Sequence, residues 1–98
     1  MLRASLESGR LTLEGQIRIE SLMSYRHELD AILPEDTDLT VDLKSLSVED
    51  SSVLALLVYL VRRIRGAGKK ISFEHPSEQL RGMAELAGLV ALIGLDSP

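Results

Sequence analysis

Val53–Val61 is an unbroken run of nine apolar residues in a chain of 98, and it is the feature that most narrows what the chain can become. A bilayer-spanning helix needs about 20 such residues, so the run is expected to be a core element of a soluble chain rather than a membrane span. Asp50-Ser51-Ser52 stand before it, and Gly66 and Gly68 follow Arg65; these are the polar start and glycine stop of a helix of about four turns. At about 100° per residue, Val53, Leu54, Leu57, Leu60, Val61 and Ile64 fall within an arc of roughly 120° and are expected to face a sheet. Ser51, Ala55, Val58, Tyr59 and Arg62 lie on another side, bordered by Ser52, Leu56 and Arg63. A face that should be wet thus carries small and apolar groups, which points to a partner surface. Asp50 is expected to be the helix cap, its carboxylate accepting amide hydrogens of the first turn.

Elsewhere the periodicity alternates between two and 3.6. Leu2, Ala4 and Leu6 alternate with polar residues, Ser8-Gly9 supplies a turn, and Leu11, Leu13 and Gly15-Gln16-Ile17 resume the alternation; this is an N-terminal β-hairpin. Leu22, Met23, Leu29, Ile32 and Leu33 recur at helical spacing between Glu20 and Leu33, where Pro34 and the polar stretch to Asp38 end the helix. Leu39–Leu43 reads as a strand and Lys44–Glu49 as a polar loop into the apolar helix. Ile71–Glu74 reads as a further strand, and His75-Pro76-Ser77 as a loop and helix cap. Glu78–Ala87 then reads as a helix stopped by Gly88, and Leu89–Leu95 as a short strand or helical turn. This order predicts an α/β fold: a mixed, mostly parallel sheet with an antiparallel N-terminal hairpin and helices packed against it. One domain over residues 1–98 is expected, because a chain this short supports a single core.

Chemistry is sparse. With no cysteine, thiolate metal sites, iron–sulfur clusters and disulfides are excluded. His27 and His75 stand apart and outside any metal-ligand spacing, so neither a metal nor a cofactor is expected, and no catalytic set converges. Gly66-Ala67-Gly68-Lys69-Lys70 follows a helix and precedes a strand, the reverse of a phosphate-binding loop, and reads as a helix terminator. Residues 1–50 hold eleven acids against five bases, whereas residues 51–98 hold four against six. Arg62, Arg63, Arg65, Lys69 and Lys70 form the basic cluster. Bases there complement a helix C-terminus, and with one Phe and two Tyr in the chain no nucleic-acid partner is expected.

Val41-Asp42-Leu43, six residues of loop, Asp50-Ser51-Ser52, the apolar helix, Gly66–Gly68, the strand Ile71–Glu74, Pro76–Leu80 and Glu85-Leu86-Ala87-Gly88-Leu89 together resemble the STAS domain over nearly the whole chain. The resemblance implies a small STAS-type α/β module that binds partners and is not an enzyme. Among STAS proteins, anti-sigma-factor antagonists use the serine of an Asp-Ser pair as a phosphorylation switch, and Ser51 matches that position. They usually carry Gly two positions later, where this chain has Val53, whose β-branched side chain removes the access Gly allows. The chain looks closer to the STAS subunit of Mla phospholipid-transport ABC complexes. That likeness implies a cytoplasmic protein, peripheral to the inner membrane through its ATPase partner and without direct membrane insertion. Its expected contact residues are Ser51, Ser52, Ala55, Tyr59 and Arg62. The alternative partner is an anti-sigma factor kinase, with Ser51 as the phosphorylated residue.

Overall fold

The computed structural model describes residues 2–33 and 37–94. The hairpin forms as expected: β1 (Leu2–Glu7) pairs antiparallel with β2 (Arg10–Gln16) across Ser8-Gly9. Both turn residues have positive φ, 52° and 80°, the backbone that a two-residue turn needs to follow the twist of its strands. Gly9 suits it for a second reason, because a Cβ there would lie 3.3 Å from the Asp38 carbonyl oxygen.

A 3₁₀ turn at Ile19–Ser21 leads into α1 (Leu22–Ile32). The Pro34 stop with Glu35 and Asp36 lies outside the described residues. β3 (Leu39–Asp42) then pairs parallel with β2, and β5 (Ile71–Glu74) parallel with β3. The stretch expected to be only a polar loop contains a further strand, β4 (Leu46–Ser47), parallel to β2 at Gly15 and Gln16. The order β1-β2-β3-β5, with β4 also on β2, is a mixed sheet with one antiparallel pair.

Register aligns Ala4 with Leu13, Leu11 with Val41, and Val41 with Phe73, so one sheet face is apolar throughout. The other face carries Ser5, Arg10, Thr12, Thr40, Asp42, Ser72 and Glu74. There Arg10 bridges Asp42 at 3.1 Å and Glu74 at 2.5 Å. The apolar face is covered by α1 and by α2 (Ser52–Gly66). All six residues of α2 expected to face the sheet are buried, and Leu56, placed by its projection at the border, is 0% exposed. α2 ends where Gly68, at φ 77°, lets the Lys69 amide turn back to the Ile64 carbonyl and the Gly68 amide to Arg65, the paired bonds that satisfy a helix C-terminus.

In α3 (Glu78–Leu86) the Ser77 hydroxyl accepts the Leu80 amide at 3.1 Å. The apolar tail resolves as a one-turn helix, α4 (Val90–Ile93), and its Leu95 lies outside the described residues. Two positions of the α1 pattern differ from expectation: Met23 is 61% exposed and Ile32 38%. Tyr25 packs against the core instead, and the Leu2 amide donates to its hydroxyl at 3.3 Å. Among the described residues no helix is long and apolar enough to cross a membrane.

Candidate functional site

The exposed side of α2 begins at a turn built by Asp50. Its Oδ1 accepts the Ser52 amide at 2.8 Å and also the Ser52 hydroxyl. The N-cap position itself belongs to Ser51, so the carboxylate reaches past its neighbour to satisfy an orphan amide. Those two bonds, the hydroxyl first, hold the Asp50 carboxyl below the ordinary carboxylate range. Ser51 has helical backbone (φ −75°, ψ −3°), its carbonyl accepts the Leu54 amide at 3.0 Å, and its side chain makes no capping bond. The Ser51 hydroxyl stands exposed beside exposed Glu49 and Asp50.

Downstream, Ser51, Ala55, Arg62 and Arg65 are exposed and project within an arc of about 80°. The stripe is small at its start and basic at its end, with half-buried Val58 along it. Ser52, expected to be a contact, is only 6% exposed and turned back to Asp50. Its role in the free chain is therefore to hold the turn that presents Ser51.

Tyr59 is half-buried and occupied by α1. Its hydroxyl donates to Asp30, Arg63 Nη1 donates to the same oxygen at 2.7 Å, and the Arg26 guanidinium lies 4.2 Å from the ring centroid. Arg26, Asp30 and Arg63 were not among the expected site residues. Their signal was the i,i+4 spacing of Arg26 and Asp30, which puts opposite charges on one side of α1. The basic cluster is likewise partly committed inside the fold, because Arg63 holds Asp30 and Arg65 Nη1 donates to the Leu92 carbonyl at 3.1 Å.

Asp42, Glu74 and His75 gather at the carboxyl ends of β3 and β5, where α/β folds often place ligands. The Lys44 amide and Arg10 hold the Asp42 carboxyl low, and Arg10 occupies both Asp42 and Glu74, so the cluster is a closed ionic network. His75 is exposed, with φ 57°. Among the described residues no group of three or more His, Asp or Glu side chains is arranged to hold a metal ion. What the arrangement leaves at the surface is an exposed stripe on α2 with the Ser51 hydroxyl at its start.

The family model described as "Mlab, STAS domain" matches residues 1–94. The chain is 25% identical over 88 residues to the anti-sigma-B factor antagonist of Bacillus subtilis (strain 168), an alignment covering 90% of this chain and 81% of that one. Its fold is similar to that of the anti-sigma factor antagonist SpoIIAA in its unphosphorylated form, with a TM-score of 0.69 at 16% identity over 91% of this chain and 82% of the other. It is also similar to an antisigma-factor antagonist STAS domain from Rhodobacter sphaeroides, with a TM-score of 0.56 at 16% identity over 74% and 83%.

Proposed function

The chain belongs to the MlaB-type STAS domain family, and from that premise we propose that it is a non-enzymatic accessory subunit of a bacterial phospholipid-transport ABC complex. In this role it binds the cytoplasmic ATPase subunit and stabilises or activates it, in maintenance of outer-membrane lipid asymmetry. It works in the cytoplasm, held at the inner membrane through that partner. The observation that carries the reading is the exposed stripe on α2. A helix whose opposite side supplies much of the core presents Ser51 and Ala55 to solvent, and side chains that small let a partner's backbone approach closely. Arg62 supplies a charged anchor of a kind that often dominates an interface. Tyr59 contributes through its exposed part while its hydroxyl stays on Asp30.

Val53 is 1% exposed, so the position that antagonists usually give to Gly is here a packing residue. That favours a static contact over one that a kinase must enter. Co-expression with a candidate ATPase subunit and affinity capture test the reading: capture that survives washing and is lost with Arg62→Glu is expected. Failure to capture ATPases encoded beside the gene would overturn it.

A second reading rests on the relatives' own activity, since the similar Bacillus protein is an anti-sigma-B factor antagonist. In that case Ser51 is phosphorylated and the partner is an anti-sigma factor kinase. The added dianion would stand beside Glu49 and Asp50 and break a docked surface by repulsion and desolvation. Intact-mass analysis of the protein from its host separates the two, because a phosphatase-sensitive fraction at Ser51 that varies inversely with partner binding belongs only to the second.

A further inference from the structure

β1 is an edge of the sheet, and its one strand neighbour among the described residues is β2. The register sets the direction of its backbone groups. In a two-residue hairpin the residues flanking the turn, Glu7 and Arg10, exchange hydrogen bonds, and bonded pairs recur at every second position, Ser5 with Thr12 and Arg3 with Glu14. The amides and carbonyls of Leu2, Ala4 and Leu6 therefore point off the edge. The Leu2 amide is taken by the Tyr25 hydroxyl, which leaves those of Ala4 and Leu6 facing outward.

Natural edges are usually blunted by proline, a bulge or a covering element, and β1 has neither proline nor bulge over its six residues. Its charges are Arg3 and Glu7, both exposed on the outer sheet face. Neither makes an ion pair among the described residues: Arg10, opposite Glu7, is turned to Asp42 and Glu74, and Arg3 stands in register with Glu14 without bridging it. The two are opposite in sign and equally spaced about Ser5.

We propose that β1 pairs antiparallel with β1 of a second copy of this chain, about a two-fold axis through Ser5, so that Arg3 of each copy faces Glu7 of the other. In this register Ala4 and Leu6 of one copy exchange backbone bonds with Leu6 and Ala4 of the other, using the groups that point off the edge. Arg3–Glu7 and Ser5–Ser5 become the non-bonded pairs, whose side chains lie closest. Opposite charges directly across such a pair favour it, and like charges oppose it. The contact is self-complementary, as a two-fold interface requires, and joins two sheets into one. Of the other strands with a single neighbour among the described residues, β5 is four residues long with one charge and β4 only two residues long, and neither has such symmetry. The surface is separate from α2, so the pairing stands or falls independently of the ATPase reading.

The test uses the full chain, which has no native cysteine. Under mild oxidation Ser5→Cys is expected to form a disulfide-linked dimer rapidly, since residue 5 faces itself at a separation a disulfide spans. Arg3→Cys and Glu7→Cys are each expected to cross-link slowly alone and rapidly when mixed. In sedimentation up to about 1 mM chain, the unmodified protein should rise from 10.8 kDa toward twice that mass. Arg3→Glu and Glu7→Arg should each weaken association at least about tenfold, and the double exchange should restore it. Circular dichroism confirms that each variant is folded. A mass that stays at one chain throughout, or Ser5→Cys cross-linking no faster than Arg3→Cys, overturns the proposal. So does an association that both charge reversals leave unchanged.

Discussion

The Asp30 carboxylate accepts from the Tyr59 hydroxyl and from Arg63 Nη1 on the same oxygen, so one residue of α1 holds two side chains a turn apart on α2. Tyr59 therefore belongs to the fold as well as to the candidate surface. Tyr59→Phe is expected to lower unfolding free energy by about 1 kcal/mol, the net value of such a bond at a partly solvated site. Tyr59→Ala should cost more, about 2–3 kcal/mol, because the ring and its contact with Arg26 go as well. A urea-denaturation cycle combining Tyr59→Phe with Asp30→Asn checks this: strict additivity would show that the two groups are not coupled.

Arg62 is the cleaner probe of the α2 surface, being exposed and without a hydrogen bond or ion pair among the described residues. Arg62→Ala should leave stability within about 0.5 kcal/mol. It should lower affinity for the ATPase subunit by about 1–3 kcal/mol if Arg62 is an anchor of the contact. Titration calorimetry of the two purified subunits measures that loss. A neutral result together with a neutral Ala55→Arg would move the contact off this stripe.

Ser51 separates fold from function most sharply. Ser51→Glu adds a charge at a helix N-terminus, where the dipole contributes about 0.3–1 kcal/mol in its favour and neighbouring Glu49 and Asp50 offset part of that. Thermal stability should barely change while partner capture falls. Ser51→Thr keeps the hydroxyl and should keep capture. Loss of folding in Ser51→Glu, or binding equal to the unmodified chain, would remove Ser51 from the surface.

Asp50 gives the pH dependence. Its carboxyl is held below its ordinary value of 3.8 by the Ser52 hydroxyl and amide. The stabilisation it gives to folding is therefore complete above that ordinary value and is lost as pH falls through the lowered folded-state value. Asp50→Asn keeps an acceptor oxygen but cannot titrate. The melting temperature of the unmodified protein should exceed that of Asp50→Asn at pH 7, and the gap should close as pH falls below 3.8. A gap that is constant down to pH 2 would mean that the carboxylate charge plays no part.

The hairpin and α2 were legible because local chemistry dictates them. Ser8-Gly9 supplies a positive-φ backbone that two-residue hairpin turns favour, and nine apolar residues with a polar start fit one helix with a buried side. The STAS resemblance followed from the same segments in the same order. β4 was not legible, since two residues carry no periodicity and Leu46 is held by pairing with Gly15 from a distant part of the chain. The α1 pattern counted Met23 and Ile32 as buried because hydrophobicity alone was read. Tyr25 took the inward place since its hydroxyl meets the Leu2 amide, a bond between residues 23 apart in sequence. The side of α2 that α1 would cover was equally hidden, because helical projection gives angles around one axis and not the position of a neighbour. Tyr59 projects to the surface for that reason, whereas Ser52 is withdrawn by its own bonds to Asp50.

The parallel pairs impose an order of events on folding. β1 and β2 meet across two turn residues, whereas Thr40 meets Ser72 only after 32 positions of chain, most of them α2 and its flanks, have been drawn together. Closing loops of that length is entropically costly before any contact compensates it. The apolar run Val53–Val61 is thus also the segment whose collapse brings β3 and β5 within reach. Substitutions at Leu57 and Leu60 that weaken that collapse should therefore slow refolding.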